Sequence, residues 1–342
     1  MRAVLLLSPE KLVLTEKEEE PVGHGEVKVA IRAVGICGSD LHTFKGLNPN
    51  ARLPVIMGHE IAGEVAEIGG GVIGAEVGDR VVIEPLLRCG KCFHCVRGDY
   101  NRCTDLKIMG VHSDGGFCEY VVVKESMIYE LPKEMTYAEG AMVEPTAASV
   151  HAAIKRGRID LGESVAILGS GTIGLLLLQI VKACGASFVL VTDVVESRLK
   201  VARRLGADLV VDVREEDPVK LALEQTGGLG VDVAFEAVGK EVVLKQALQM
   251  TRAGGRVIII GIYGRPSVKI DVMKTIFNKE LVMKGSRVYS SGDFDRAIDL
   301  IRRREINVEP LLTHLLPLEE TEKGIKLMIE HKEKAIKVHL KP

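Results

Sequence analysis

An excess of charge of either sign is what this chain most plainly lacks. Its 45 Lys and Arg stand against 47 Asp and Glu, a formal net charge of -2, and the pI is near 6.5. Such a balance offers no electrostatic pull toward nucleic acid or an anionic membrane. The triplet Arg302-Arg303-Arg304 is short and falls in an amphipathic helical pattern, so it reads as a solvated face. Long hydrophobic runs are missing too. The longest, near 173–181, is too short and too interrupted to span a bilayer. No charged leader, apolar stretch and cleavage site open the chain; it starts in strand-like Arg2-Ala3-Val4-Leu5-Leu6. A cytoplasmic location is therefore expected. There thiols stay reduced, and the seven cysteines read as metal ligands rather than disulfides. Internal repeats and low-complexity segments are also absent.

What is present suits an ordinary globular protein: 342 residues, 46% hydrophobic and 27% charged, enough for about two domains. To about residue 150 the sequence is a series of short strand patterns, at 26–36, 61–68, 79–83 and 116–123, broken by glycine and proline. This predicts an irregular, mostly antiparallel, barrel-like domain. From about 151 short apolar strands alternate with helices: strands at 165–168, 188–191, 209–211, 231–235 and 256–260, helices at 174–183, 197–205, 219–226 and 241–251. Strict alternation predicts a parallel sheet covered on both faces. Helices at 294–303 and 318–329 and a strand at 335–340 follow, and this tail is expected to rejoin the first domain.

Four cysteines, Cys89, Cys92, Cys95 and Cys103, lie in one short loop with the spacing C-x2-C-x2-C-x7-C. A redox C-x-x-C pair has no use for two further thiols. Four thiolates close a zinc tetrahedron with no open position, so this metal is expected to be structural. Arg88, Lys91, Arg97 and Arg102 are interleaved with the ligands and could offset the charge of the centre. Cys37, with His59 and the adjacent Glu60, offers a second set of donors suited to zinc. Three protein ligands leave a position open, as a catalytic site requires.

Gly169-Ser170-Gly171-Thr172-Ile173-Gly174 is G-x-G-x-x-G between an apolar strand and an apolar helix, the setting in which the motif binds a dinucleotide. Gly169 permits the tight turn, Gly171 the approach of a pyrophosphate, and Gly174 the packing of helix on sheet. The helix start, Thr172 and Ile173, offers free N–H groups to the anion. Asp193 ends the next strand, where a carboxylate accepts from the adenosine ribose and repels a 2′-phosphate, favouring NAD over NADP. Arg198 either covers the adenine or is a surface charge of its helix.

Gly58-His59-Glu60-Ile61-Ala62-Gly63, with Gly69 and Val72, resembles the zinc signature of the medium-chain dehydrogenases. Cys37-Gly38-Ser39-Asp40-Leu41-His42 is similar to that family's first ligand segment, and the four-cysteine loop and glycine motif follow in the family's order. Glu144-Pro145 stands where the simple alcohol dehydrogenases place a second cysteine ligand, which points to the polyol and threonine dehydrogenase branch. The resemblance implies a GroES-like catalytic domain, 1–150 with 288–342, and a Rossmann NAD-binding domain, 151–287, whose sheet is doubly wound and parallel. It implies two zincs, one structural and one catalytic, with either Glu60 or Glu144 as the third protein ligand of the latter. It implies reversible oxidation of a secondary alcohol to a ketone with hydride transfer to NAD, and a proton leaving through Ser39 and His42. Ile260, Gly261 and Ile262, then Ser286 and Arg287, fall where the family's backbone meets the nicotinamide. Relatives are commonly dimers or tetramers, so a homotetramer is expected.

The branch is less easily assigned. Sorbitol dehydrogenases have an aromatic residue directly after the relay histidine, where this chain has Thr43. Threonine dehydrogenases carry an arginine-bearing segment where this chain reads Tyr289-Ser290-Ser291-Gly292. Polar Thr43, Glu144, Arg287 and Tyr289 suit a sugar alcohol or sugar acid. A threonine or butanediol-type dehydrogenase is the alternative within enzymes, and an NAD- and zinc-binding sensor the alternative outside them.

Overall fold

The computed structural model describes residues 1–264 and 267–342. It divides into two compact units, one of Met1–Glu144, Ser290–Arg304 and Val308–Pro342, the other of Pro145–Tyr289 with Glu305–Asn307.

In the first unit, among the described residues, seven strands share one sheet. Its middle runs Arg80–Ile83, Glu60–Ile68, Glu26–Gly35, Lys337–Lys341, Leu312–Pro317, and Tyr120–Lys124 also pairs with Glu26–Gly35. The alternation of Val27, Val29 and Ile31 anticipated the long strand, and all three side chains are buried in the core with Ile61, Val65 and Val81. The pattern at 116–123 begins four residues later as a strand. Gly115, Gly116 and Phe117 instead donate to the carbonyls of Ile56, Gly58 and Met57, which holds that segment against the approach to His59. Leu312–Pro317 was not anticipated. It pairs in parallel with Lys337–Lys341, and the helix Thr321–Glu330 makes the crossover between them.

The second unit holds the expected doubly wound sheet. Its six parallel strands are ordered Leu209–Asp212, Phe188–Asp193, Ser164–Leu168, Val231–Glu236, Thr251–Ile259, Val282–Gly285. The order reverses between Ser164–Leu168 and Val231–Glu236, and at such a point a crevice opens beyond the carboxyl ends of the strands. Val282–Gly285, an edge strand of only four residues with exposed side chains, escaped the sequence pattern. The helix Thr172–Ala183 buries Leu175, Leu176, Leu177 and Leu178 right around its circumference. Each such burial contributes about 1.5–3 kcal/mol. The helix Pro218–Gln225 starts where it does because Asp217 accepts from Val219 and Lys220 N–H while Pro218 needs no partner at the first helical position.

Strand Lys337–Lys341 carries His339 opposite Gly35. Burial, with the charge of Lys337 adding to it, pushes the His339 imidazole from 6.5 down to about 3. Below the unfolded value the open chain takes up a proton that the folded chain refuses, so stability falls as pH drops from about 6.5 toward 3. At pH 5 the loss from this one group is about 2 kcal/mol. Denaturant titrations between about pH 5 and pH 7 should show that acid limb in the wild type and a flatter one in His339→Leu.

Candidate active site

The four-cysteine loop is a lobe of short turns, with single 3-10 turns at Cys95–Arg97 and Tyr100–Arg102. The sulfurs of Cys89, Cys92, Cys95 and Cys103 all lie within 4.8 Å of one another. Backbone N–H groups of Cys89 and Asp105 donate to the Cys103 sulfur, both at 3.4 Å. Donation from the Cys95 and Thr104 backbone lowers the Cys92 thiol to about 5, while burial and its neighbouring thiols push Cys95 up to about 12. Four thiolates cannot coexist here without a cation among them, and this donor set fits zinc. Three of the interleaved cations also have partners of their own. Arg88 lies over the Tyr100 ring at 4.0 Å, Arg97 over Phe93 at 5.2 Å, and Arg102 beside Asp99 at 3.6 Å. Backbone N–H groups also meet the sulfurs. The lobe is tied to the barrel by Tyr100, whose hydroxyl donates to buried Glu84 at 2.5 Å.

The second cluster joins the ends of two neighbouring strands. Cys37 follows strand Glu26–Gly35 and is the N-cap of helix Gly38–Phe44; His59 precedes strand Glu60–Ile68, and Glu60 opens it. The Cys37 sulfur, a His59 ring nitrogen and a Glu60 carboxylate oxygen lie within 4.8 Å of one another. Asp40 is fully buried beside them. One of its oxygens accepts from the Cys37 N–H at 2.8 Å, and the other lies 3.6 Å from His59 Nδ1. Burial opposes a charge on His59, but Asp40 and Cys37 outweigh it and raise its pKa well above the usual value. Surroundings that favour a proton so strongly favour a metal cation equally, and the donor set fits zinc.

Sequence reasoning missed two residues of this cluster. Asp40 had a signal, since it stands at the third position of a helix whose N-cap is Cys37. Lys337 had none. Its Nζ lies 2.7 Å from each oxygen of Glu60 and donates to the Ile36 carbonyl at 3.0 Å. The neighbouring Gly35 is required, because a Cβ there would stand 1.9 Å from Glu60 Oε2. Glu60 thus belongs to the trio yet has an ammonium on both oxygens. Glu144, in the first turn of helix Val143–Val150, is close enough to act electrostatically on both His59 and Lys337. Ser39 Oγ is 3.3 Å from His59 Nε2. His42 is one turn further along the same helix, and burial, then Lys45, lowers its pKa. Thr43 is 1% exposed and its hydroxyl accepts from Asn48 Nδ2, while Tyr289 is 0% exposed, so neither is the open polar contact that its residue type suggested.

In the second unit the glycine motif has the conformation its chemistry needs. Gly169 has φ +105°, in the region that favours glycine. A Cβ on Gly174 would sit 1.8 Å from the Gly169 carbonyl oxygen. Asp193 ends its strand beside the loop: Oδ2 accepts from Ser170 N and Oγ, and Oδ1 from the N–H groups of Val194 and Val195. Arg198 is half-buried near Gly171, and its charge reaches Asp193. Ile260 and Gly261 donate to the Glu236 carbonyl and Ser286 to that of Ile259, leaving Ile262 exposed. Arg287 follows directly. These groups all stand at the carboxyl ends of the parallel strands.

Two family models match the chain, the alcohol dehydrogenase GroES-like domain over residues 23–133 and the zinc-binding dehydrogenase over residues 172–303. A sorbitol dehydrogenase of Halalkalibacterium halodurans is 37% identical across 96% of this chain and 94% of its own. The chain belongs to the zinc-dependent medium-chain alcohol dehydrogenase family. As an enzyme of that family it also resembles an L-threonine 3-dehydrogenase of Pyrococcus furiosus, 38% identical over 92% of this chain and 91% of the relative. An alcohol dehydrogenase structure from E. coli CFT073, complexed with NADH, superposes with a TM-score of 0.93 at 30% identity, covering 100% of this chain and 99% of the other.

The buried pair makes a direct test. Lys337→Met leaves the Glu60 carboxylate without a counter-charge, and urea denaturation at neutral pH should show a loss of about 3–5 kcal/mol. Lys337→Arg, which keeps the charge, should lose less.

Proposed function

We propose that this enzyme reversibly oxidises a secondary alcohol of a sugar alcohol or sugar acid to the ketone, with NAD as partner. The observation that carries the reading is the convergence of Cys37, His59 and Glu60 within 4.8 Å in a chain of this family. Cys37 and His59, with Glu60 or Glu144, are the residues to hold a catalytic zinc, and the four-cysteine lobe a structural one. When bound, zinc supplies a Lewis acid that lowers the pKa of an alcohol, and NAD supplies the hydride acceptor. The chain's own groups do the rest. Asp40 holds the His59 ring from its Nδ1 side and so leaves Nε2 as the donor atom. Ser39 Oγ accepts the alcohol proton as its own hydroxyl proton moves on toward His42, which releases it to solvent. The glycine loop and its helix bind the pyrophosphate, Asp193 the adenosine ribose, Arg198 the adenine side, and Ile260 to Ile262 with Ser286 and Arg287 the nicotinamide end.

The sorbitol relative supports a polyol, and the threonine relative supports an amino alcohol as the second reading. We also propose a cytoplasmic homo-oligomer, a dimer or tetramer. All seven cysteines are free, and no described helix is long and apolar enough to cross a membrane.

A panel of polyols, sugar acids, threonine, butanediol and simple alcohols with NAD, followed by cofactor absorbance, tests the reading. Turnover is expected with the polyhydroxylated members; preference for simple aliphatic alcohols overturns that substrate class, and no turnover at all favours a sensor. Elemental analysis should find two zincs per subunit. His59→Ala should lower turnover by roughly a thousandfold, the several kcal/mol that a Lewis acid contributes, while NADH binding is kept.

A further inference from the structure

Asp193 has no acceptor position to spare. A carboxylate offers about four lone-pair sites. On Oδ1 the N–H groups of Val194 and Val195 stand at 2.7 and 3.0 Å. On Oδ2 the Ser170 N–H stands at 2.7 Å and the Ser170 hydroxyl at 2.9 Å. Three of these donors are backbone groups fixed by the loop and the strand end. The fourth is a side chain, and it alone can leave by rotating about one bond. Ser170 is 0% exposed, so no bulk water takes over when its hydroxyl lets go.

We propose that Ser170 is a specificity-determining residue of the dinucleotide loop, its hydroxyl occupying the acceptor position on Asp193 that an adenosine ribose hydroxyl needs. The inference rests on the reading of Gly169 to Gly174 as that loop. The 2′-hydroxyl of an NAD ribose needs one acceptor position on Asp193, and its entry requires the serine hydroxyl to give up a charge-assisted bond and remain buried. That displacement weakens NAD binding. A 2′-phosphorylated ribose brings one donor fewer and a negative charge, so it neither needs the 2′ acceptor position nor displaces the serine from it. Ser170 thereby narrows the preference for NAD over NADP that the Asp193 charge creates, and Arg198 lies on the same side to meet a phosphate.

The test is direct binding of NADH and NADPH to the full-length protein, read from nicotinamide fluorescence and confirmed by calorimetry. The chain has no tryptophan, so indole emission does not complicate the signal. Ser170→Ala frees the acceptor and should bind NADH about fivefold tighter, the equivalent of one net hydrogen bond near 1 kcal/mol, with NADPH affinity unchanged. Ser170→Cys, close in size and a weak donor, should move the same way, and it keeps the test open should the alanine loop fold poorly in a thermal melt. Unchanged or weaker NADH binding overturns the inference, as does equal tightening of both cofactors, which a merely looser loop would produce. Failure of the wild type to bind either dinucleotide is a different result and overturns the cofactor reading itself.

Discussion

The ammonium of Lys337, enclosed between both oxygens of Glu60 and the Ile36 carbonyl, is the interaction on which the first unit turns. Two full charges out of water cost several kcal/mol each, and only their mutual contact and the extra hydrogen bond offset that. The pair is therefore an all-or-none element. It joins the last strand to the two strands that deliver Cys37 and His59, and it fixes where the Glu60 carboxylate sits beside them. Even the smallness of Gly35 follows from it, since that carboxylate crosses directly over the glycine.

The two candidate metal clusters solve one electrostatic problem differently. At Cys37 and His59 a fully buried carboxylate, Asp40, stands behind the imidazole, and burial itself raises the Asp40 pKa against the pull of His59. In the four-cysteine lobe the sulfurs are met by backbone N–H groups, and the arginines are turned to aromatic rings and carboxylates. Fixed dipoles are the more dependable donors, because turns hold them in place while long side chains would have to be ordered first.

Much of this was legible in the residues because it is local. The four cysteines, the glycine motif between strand and helix, and the alternation of strands and helices after residue 151 each declare themselves within a short window. Lys337 was not legible, since its partner lies at the other end of the sequence and a lone lysine in a strand normally faces water. Strand Leu312–Pro317 alternates only weakly, half-buried against exposed, and strand Val282–Gly285 sits at an edge, so neither leaves a clear hydrophobic period. Ser170 carries no signal of its own between two glycines, and only the fold places Asp193 against it. Thr43 and Tyr289 show the converse: polarity suggested contact with substrate, and packing enclosed both.

One property of the Glu60–Lys337 pair concerns the order in which the molecule is made. The partners are 277 residues apart. At about 5–20 residues per second, a ribosome needs roughly 15–55 seconds to travel from one to the other. Throughout that interval the nascent barrel holds an acidic residue whose counter-ion has not been synthesised. The strands that deliver Cys37 and His59 can mature only after Lys337 has been made and has emerged from the ribosome, and a chaperone has that long to engage them.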